Sequence, residues 1–376
     1  MPGSICDILP SAAAVLGVPE APDVLGLTDH IGDVRRVAVV LVDGLGYHLL
    51  PQLAAHQEHP APLLASVLAG DTGHLTELTC TFPSTTPTSL VSLGTGVEPG
   101  EHGVLGFTVN VPGTDRVLTH ILWRDDPPPA TWQPVPTWFE RLRAAGVGAR
   151  AVLPEMFVGS GLTESAYRGA EFHPTAKGTH YAAHLAEEIA AAPGLIYGYT
   201  AALDHAAHLS GIGSPHWHTA AAKVDTLLRH LIEELPDDAA LIVTADHGGL
   251  NVPDDARIDC DAEPMLRNGI RVIAGEPRVR YLHTEPGAAA DVLAAWSELL
   301  AGRAMVHSRE DAVAAGLFGP VREEHLARIG DVVVTCTGDT AILATDHEPP
   351  QASALVGFHG GLTPAETAIP LLTFTR

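Results

Sequence analysis

The chain of 376 residues sets 21 Lys+Arg against 45 Asp+Glu for a formal net charge of −24, with 46% hydrophobic and 18% charged residues. That composition can bury a large core, which excludes a disordered chain. The charge excludes a sequence-independent grip on a nucleic-acid backbone or an anionic membrane. Histidine, at 21, equals Lys+Arg, and the only lysines are Lys177 and Lys223, so site chemistry here favours metals over Schiff bases.

The N-terminus has no basic stretch followed by a long apolar run, and no later run approaches the ~18 residues of a membrane span. The sequence therefore reads as a soluble cytoplasmic protein with no membrane partner. Cys6, Cys80, Cys260 and Cys336 lie far apart with no C-x-x-C, which encodes neither a disulfide framework nor a cysteine zinc site. They read as ordinary buried thiols.

In chain order, Arg36–Val42 is a continuous apolar run suited to a strand buried on both faces, and 195–200 and 240–245 resemble it. Alternation of such runs with Ala/Leu-rich stretches predicts an α/β fold around a mainly parallel sheet. Residues 125–130 read as a Pro-rich loop and 179–192 as a surface helix with its acidic face outward. From Leu250 to Pro350 the pattern changes to a smaller set: a strand over 278–283, a helix over 288–300 and strands near 331–335 and 341–345. We expect a core of 1–250 plus 350–376, with 251–349 as an inserted cap.

Ligands gather at the carboxyl ends of parallel strands, where Asp43, Asp204 and Asp246 fall. Asp204-His-Ala-Ala-His208 puts a carboxylate and an imidazole one helical turn apart, and Asp246-His247 ends a strand before Gly248-Gly249. His359 precedes a Gly pair, and Thr363, Pro364 and Glu366 then read as a capping box. Pro87 is a good first helical residue, which makes Thr86 the expected N-cap of a helix reaching toward Gly96. A hydroxyl there serves as a cap or, stabilised by the helix end and a metal, as a nucleophile. Each feature alone has a structural reading as turn or cap; their joint occurrence favours a site.

This set resembles the alkaline phosphatase superfamily, most closely its type I phosphodiesterase/nucleotide pyrophosphatase branch, from about Val37 to the C-terminus. The family's chain order of Asp, nucleophile, Asp-x-x-x-His, Asp-His and late His is supplied by Asp43, Thr86, Asp204 with His208, Asp246-His247 and His359. The resemblance implies a three-layer αβα sandwich and two divalent ions, zinc first with manganese or iron as alternatives. It further implies one ion on Asp204, His208 and His359, and the other on Asp43, Asp246 and His247 with Thr86 beside it. The family's nucleophile lies ten residues before the Gly of the Thr-Gly that ends its helix, which selects Thr86, with Thr85 as the register alternative. His102 reads as structural rather than as a ligand.

The implied activity is hydrolysis of a small-molecule phosphodiester through a phospho-threonine intermediate. In family members an Asn after the His-Gly segment contacts the phosphoryl oxygen; here Leu105-Gly-Phe107 stands there, with Asn110 as an out-of-register substitute. Arg278 and Arg280 share a strand face and could clamp a second phosphate, or form surface ion pairs. A phosphomonoesterase is the runner-up, and a non-catalytic metal- or nucleotide-binding module is the rival from another class. A sulfatase is disfavoured because Cys80-Thr-Phe-Pro-Ser lacks the spacing and the Arg of the formylglycine frame.

Overall fold

Arg36–Val42 is the central strand of a seven-stranded sheet in a computed structural model that describes residues 3–56, 58, 60–177 and 180–376. Val37, Val39, Val40 and Leu41 are completely buried, as expected for an apolar, β-branched run covered on both faces. Gly194–Thr200 and Ala239–Thr244 flank this strand, both parallel to it, in registers that pair Val42 with Thr200 and Leu41 with Thr244. The three strands read from sequence therefore lie side by side and end level.

The full order is His74–Thr79, Ala368–Thr375, Ala239–Thr244, Arg36–Val42, Gly194–Thr200, Ala149–Val152 and Glu171–Phe172. Ala368–Thr375 pairs antiparallel with both neighbours; the other strands share one direction. One helix group contains Ile8–Val15, Thr86–Thr95, Trp138–Ala144 and Gly161–Tyr167, and a second contains Pro62–Ala69, Tyr181–Ala191, Ala202–Ser210 and Pro215–Glu233. With both sheet faces buried, this is the expected layered α/β fold. The helix anticipated over 179–192 is Tyr181–Ala191; residue 179 lies outside the described residues.

A second, antiparallel sheet has the order Ile270–Glu276, Val279–Thr284, Val332–Cys336, Ala304–Ser308. The sequence reading missed its first and last strands. Alternation sorts its side chains: Val279, Tyr281 and Val333 join the main core, whereas Leu282, Val332 and Val334 form a separate cluster with Val292 and Trp296 of helix Ala289–Leu299.

Arg278 and Arg280 do share a face, but the structure removes Arg278 as a phosphate clamp. It is completely buried, its Nε and Nη2 donating to Glu366 at 2.9 and 2.8 Å, with Nη1 donating to the Thr340 carbonyl. Glu366 closes the capping box read from sequence, its oxygens accepting from Thr363 N and Gly361 N. Arg278 thus ties the second sheet to the C-terminal segment of the main one. Replacing Arg278 with Ala leaves the Glu366 carboxylate buried without its partner, and urea unfolding should show a loss of about 3–5 kcal/mol; a loss below about 1 kcal/mol, the range of an exposed pair, would contradict this reading.

Candidate active site

The level strand ends bring three carboxylates together. Asp43 follows the central strand directly, its N–H donating to the Thr200 carbonyl (3.0 Å), while Asp204 N donates to the Asp43 carbonyl (3.2 Å). Gly44 N donates to Asp246 Oδ1 (3.2 Å). Gly44 has φ +74°, and a Cβ there would sit 2.9 Å from Asp204 Cβ, so the turn demands glycine. Gly248 serves the Asp246-His247 segment similarly: its N–H donates to the Glu366 carbonyl at 2.8 Å, and a Cβ would stand 2.1 Å from the Ala365 oxygen.

Three imidazoles complete the cluster, and all are oriented in one way. Nδ1 of His208 donates to the Gly357 carbonyl (2.8 Å), Nδ1 of His247 to the Gly248 carbonyl (2.8 Å) and Nδ1 of His359 to the Ser84 carbonyl (3.0 Å). A carbonyl can only accept, so each Nδ1 carries a proton and each ring turns its Nε2 toward the carboxylates. His208 Nε2 lies 3.2 Å from Asp204 Oδ2 and 3.2 Å from His359 Nε2, and His359 Nε2 lies 3.9 Å from Asp204 Oδ1. His247 Nε2 lies 3.4 Å from Asp43 Oδ1, 3.5 Å from Asp246 Oδ2 and 3.2 Å from Thr86 Oγ1.

The donor set fits divalent cations. Asp43, Asp246 and His247 form one buried group able to hold an ion, and Asp204, His247 and His359 form another. His247, stacked on His359 at 3.7 Å between ring centroids, thus sits between the two groups that the sequence reading kept separate. Asp43 Oδ1 and Asp246 Oδ2 are buried and accept no hydrogen bond, whereas Asp43 Oδ2 accepts from the Tyr199 hydroxyl. Burial, reinforced by the charges of Asp246 and Asp204, pushes the Asp43 carboxyl well above its usual range. Burial opposes ionisation of both Asp204 and His208, but their mutual attraction prevails: Asp204 is held far below the usual carboxylate range and His208 is pushed up to about 9.

The helix carrying Thr86 begins one residue earlier than expected. Thr85, extended at φ −140° and ψ 147°, is the N-cap, and its carbonyl accepts from Ser89 N; Thr86 is the first helical residue and Pro87 the second. Proline is tolerated there because first-turn N–H groups have no partner within the helix. Thr86, freed from capping, faces His247, and Gly96 closes the helix at φ +76°. His102 is satisfied locally, Nε2 meeting Ser92 Oγ at 2.9 Å and Nδ1 accepting from Val104 N at 3.1 Å.

A cavity of about 630 Å³ opens beside His208 and His359. Arg280 lines it, but Nη1 and Nη2 are held by Glu348 at 2.6 and 2.9 Å and Nε by the Ile342 carbonyl at 2.9 Å, so this guanidinium too is already committed. Asn110 is buried in the hairpin of Thr108–Asn110 with Val117–Thr119 and does not line the cavity, so the expected substitute for the family Asn is not delivered.

Sequence reasoning missed Glu276, which lines the cavity at the end of its strand with Oε2 3.8 Å from His359 Nδ1. Between Gly275 and Pro277 it reads as a turn residue, and only the tertiary fold aims it here. Burial pushes its carboxyl up to about 8, against the opposing pulls of Thr85 and Arg280.

A family profile described as type I phosphodiesterase / nucleotide pyrophosphatase matches residues 37–362. No curated protein sequence matches the chain significantly. Among solved structures, murine ectonucleotide pyrophosphatase/phosphodiesterase 5 superposes with a TM-score of 0.71 at 20% identity, over 91% of this chain and 88% of that one. An inactive threonine-to-alanine form of that mouse protein was solved with AMP. Phosphonoacetate hydrolase from Sinorhizobium meliloti 1021, in complex with phosphonoformate, gives 0.66 at 19% identity over 90% and 89% of the two chains.

Stability without metal should report the Glu276 burial. Between 4.5, its ordinary value, and about 8, the unfolded chain sheds a proton that the native state keeps, so stability falls as pH rises through that window. Asp43, also raised, acts in the same direction. In chelator-treated protein, the Tm of the parent should therefore fall from pH 5 to 8 relative to that of Glu276→Gln; parallel profiles would contradict the assignment.

Proposed function

Because the chain belongs to the type I phosphodiesterase/nucleotide pyrophosphatase family, we propose that it hydrolyses small-molecule phosphodiesters through Thr86, with two divalent cations held by the Asp/His cluster. The observation that carries this reading is the common orientation of His208, His247 and His359, each with Nδ1 donating to a carbonyl and Nε2 turned toward Asp43, Asp204 and Asp246. Such second contacts fix the ligating tautomer of metal-binding imidazoles. Asp204, His208 and His359 would hold one cation, and Asp43, Asp246 and His247 the other, with His247 near both. Mixed Asp/His ligation suits zinc first and accommodates manganese or iron.

Bound cations would lower the pKa of the attacking hydroxyl and neutralise charge on the phosphoryl oxygens. Thr86 Oγ1 loses its proton and attacks phosphorus, while the bond from phosphorus to the leaving oxygen breaks and that oxygen gains a proton. Water then attacks the phospho-threonine, the bond to Oγ1 breaks, and Oγ1 is reprotonated. The first helical turn at Thr86 adds backbone N–H groups favourable to phosphate. In this reading 1–250 with 350–376 is the catalytic core and 251–349 is a cap that supplies Glu276. The four free cysteines are in keeping with our placement of the protein in a reducing cytoplasm.

Thr86→Ser should retain measurable turnover, whereas Thr86→Ala should fold, bind metal and lose about a thousandfold or more in kcat. Substantial activity in Thr86→Ala with collapse in Thr85→Ala would move the nucleophile by one residue. A simple aryl phosphodiester should be cleaved faster than its monoester. A tenfold preference for the monoester, about 1.4 kcal/mol in transition-state binding, would reassign the protein as a phosphatase.

A further inference from the structure

The cavity beside His208 and His359 is bounded by the second sheet and by the hairpin ending at Thr119. His208 and His359 line it, whereas Thr86, Asp43 and Asp246 do not. A group seated there therefore lies on the side of the cluster away from the attacking hydroxyl. In an in-line displacement that is the side of the leaving oxygen.

The chemistry of the wall narrows what that group can be. Phe107, Ile273, Ala274, Leu355 and Phe358 give it an apolar surface. At the rim, Val117, Ile121 and Leu122 are 38%, 46% and 74% exposed, a concentration of apolar surface that a ligand would cover. Among the described residues of the wall neither guanidinium is spare, Arg280 being held by Glu348 and Arg271 paired with Asp115, and His208 is paired with Asp204. The carboxyl of Glu276 adds an acceptor, Oε1, which is buried without a hydrogen-bond partner. A leaving group bearing phosphate or carboxylate would find no uncommitted guanidinium there, because Asp115 and Glu348 already neutralise Arg271 and Arg280.

We propose that this cavity receives the leaving group of the phosphodiester, and that this group is an uncharged, largely apolar alcohol rather than a phosphate-bearing one. The inference rests on the hydrolase reading above and selects its substrate class.

The test compares three methyl aryl phosphodiesters whose phenols are matched in acidity, with divalent metal supplied: one unsubstituted, one bearing a butyl chain and one bearing a carboxylate. Turnover of the unsubstituted diester tests the hydrolase reading, and the ratio of kcat/KM between the other two tests the cavity. We expect the butyl compound to be preferred at least tenfold over the carboxylate. In Ile121→Asp, a rim substitution on an exposed side chain, that ratio should fall below threefold while Tm stays near that of the parent. Turnover of the unsubstituted diester with no butyl preference, or with the carboxylate preferred, would overturn this inference and leave the hydrolase reading standing. No turnover of any diester would overturn both.

Discussion

Asp43, Asp204 and Asp246 converge at the ends of three adjacent parallel strands, where Asp43 and Asp246 are almost wholly removed from water. Burying carboxylates this close together is strongly unfavourable unless something of opposite charge joins them. The cost is visible in the upward shift of Asp43 and in the oxygens of Asp43 and Asp246 that accept nothing. Three imidazoles with Nε2 turned inward relieve only part of it: His208 pairs with Asp204, while oxygens of Asp43 and Asp246 still lack a donor. The positive φ of Gly44 and the close approach of Gly248 to Ala365 let the backbone bring these groups together.

The two sheets divide the work. The parallel sheet positions groups that need rigidity: its central strands are sealed on both faces, so residues at their ends inherit fixed positions from the core. The antiparallel sheet approaches from outside, fastened through Arg278 to Glu366, and brings Glu276 and the apolar cavity wall alongside His208 and His359. A change in the second sheet can therefore alter what enters the cavity without moving the strand ends. This separation lets one reaction centre serve different esters.

The parts legible in the sequence were those governed by local rules. Strands such as Arg36–Val42 announce themselves by unbroken apolar, valine-rich runs, and the capping box at Thr363 and Glu366 by its spacing. All six Asp and His positions read from the sequence do meet in space. The helix start was misplaced by one residue because proline is tolerated at either of the first two helical positions, so Pro87 does not decide between Thr85 and Thr86 as cap. Arg278 and Arg280 were placed on one face by strand alternation, but their partners Glu366 and Glu348 lie 88 and 68 residues away, beyond any local pattern. Glu276 was invisible for the same reason.

The most direct measurement is the metal content of the purified protein after equilibration with zinc and removal of the free ion, made on the parent and on His359→Ala. Two ions per chain in the parent, with one lost in His359→Ala while the fold is retained, is the predicted result. A parent that binds one ion or none would mean that the buried carboxylates are balanced in some other way, and would contradict the proposed two-cation site.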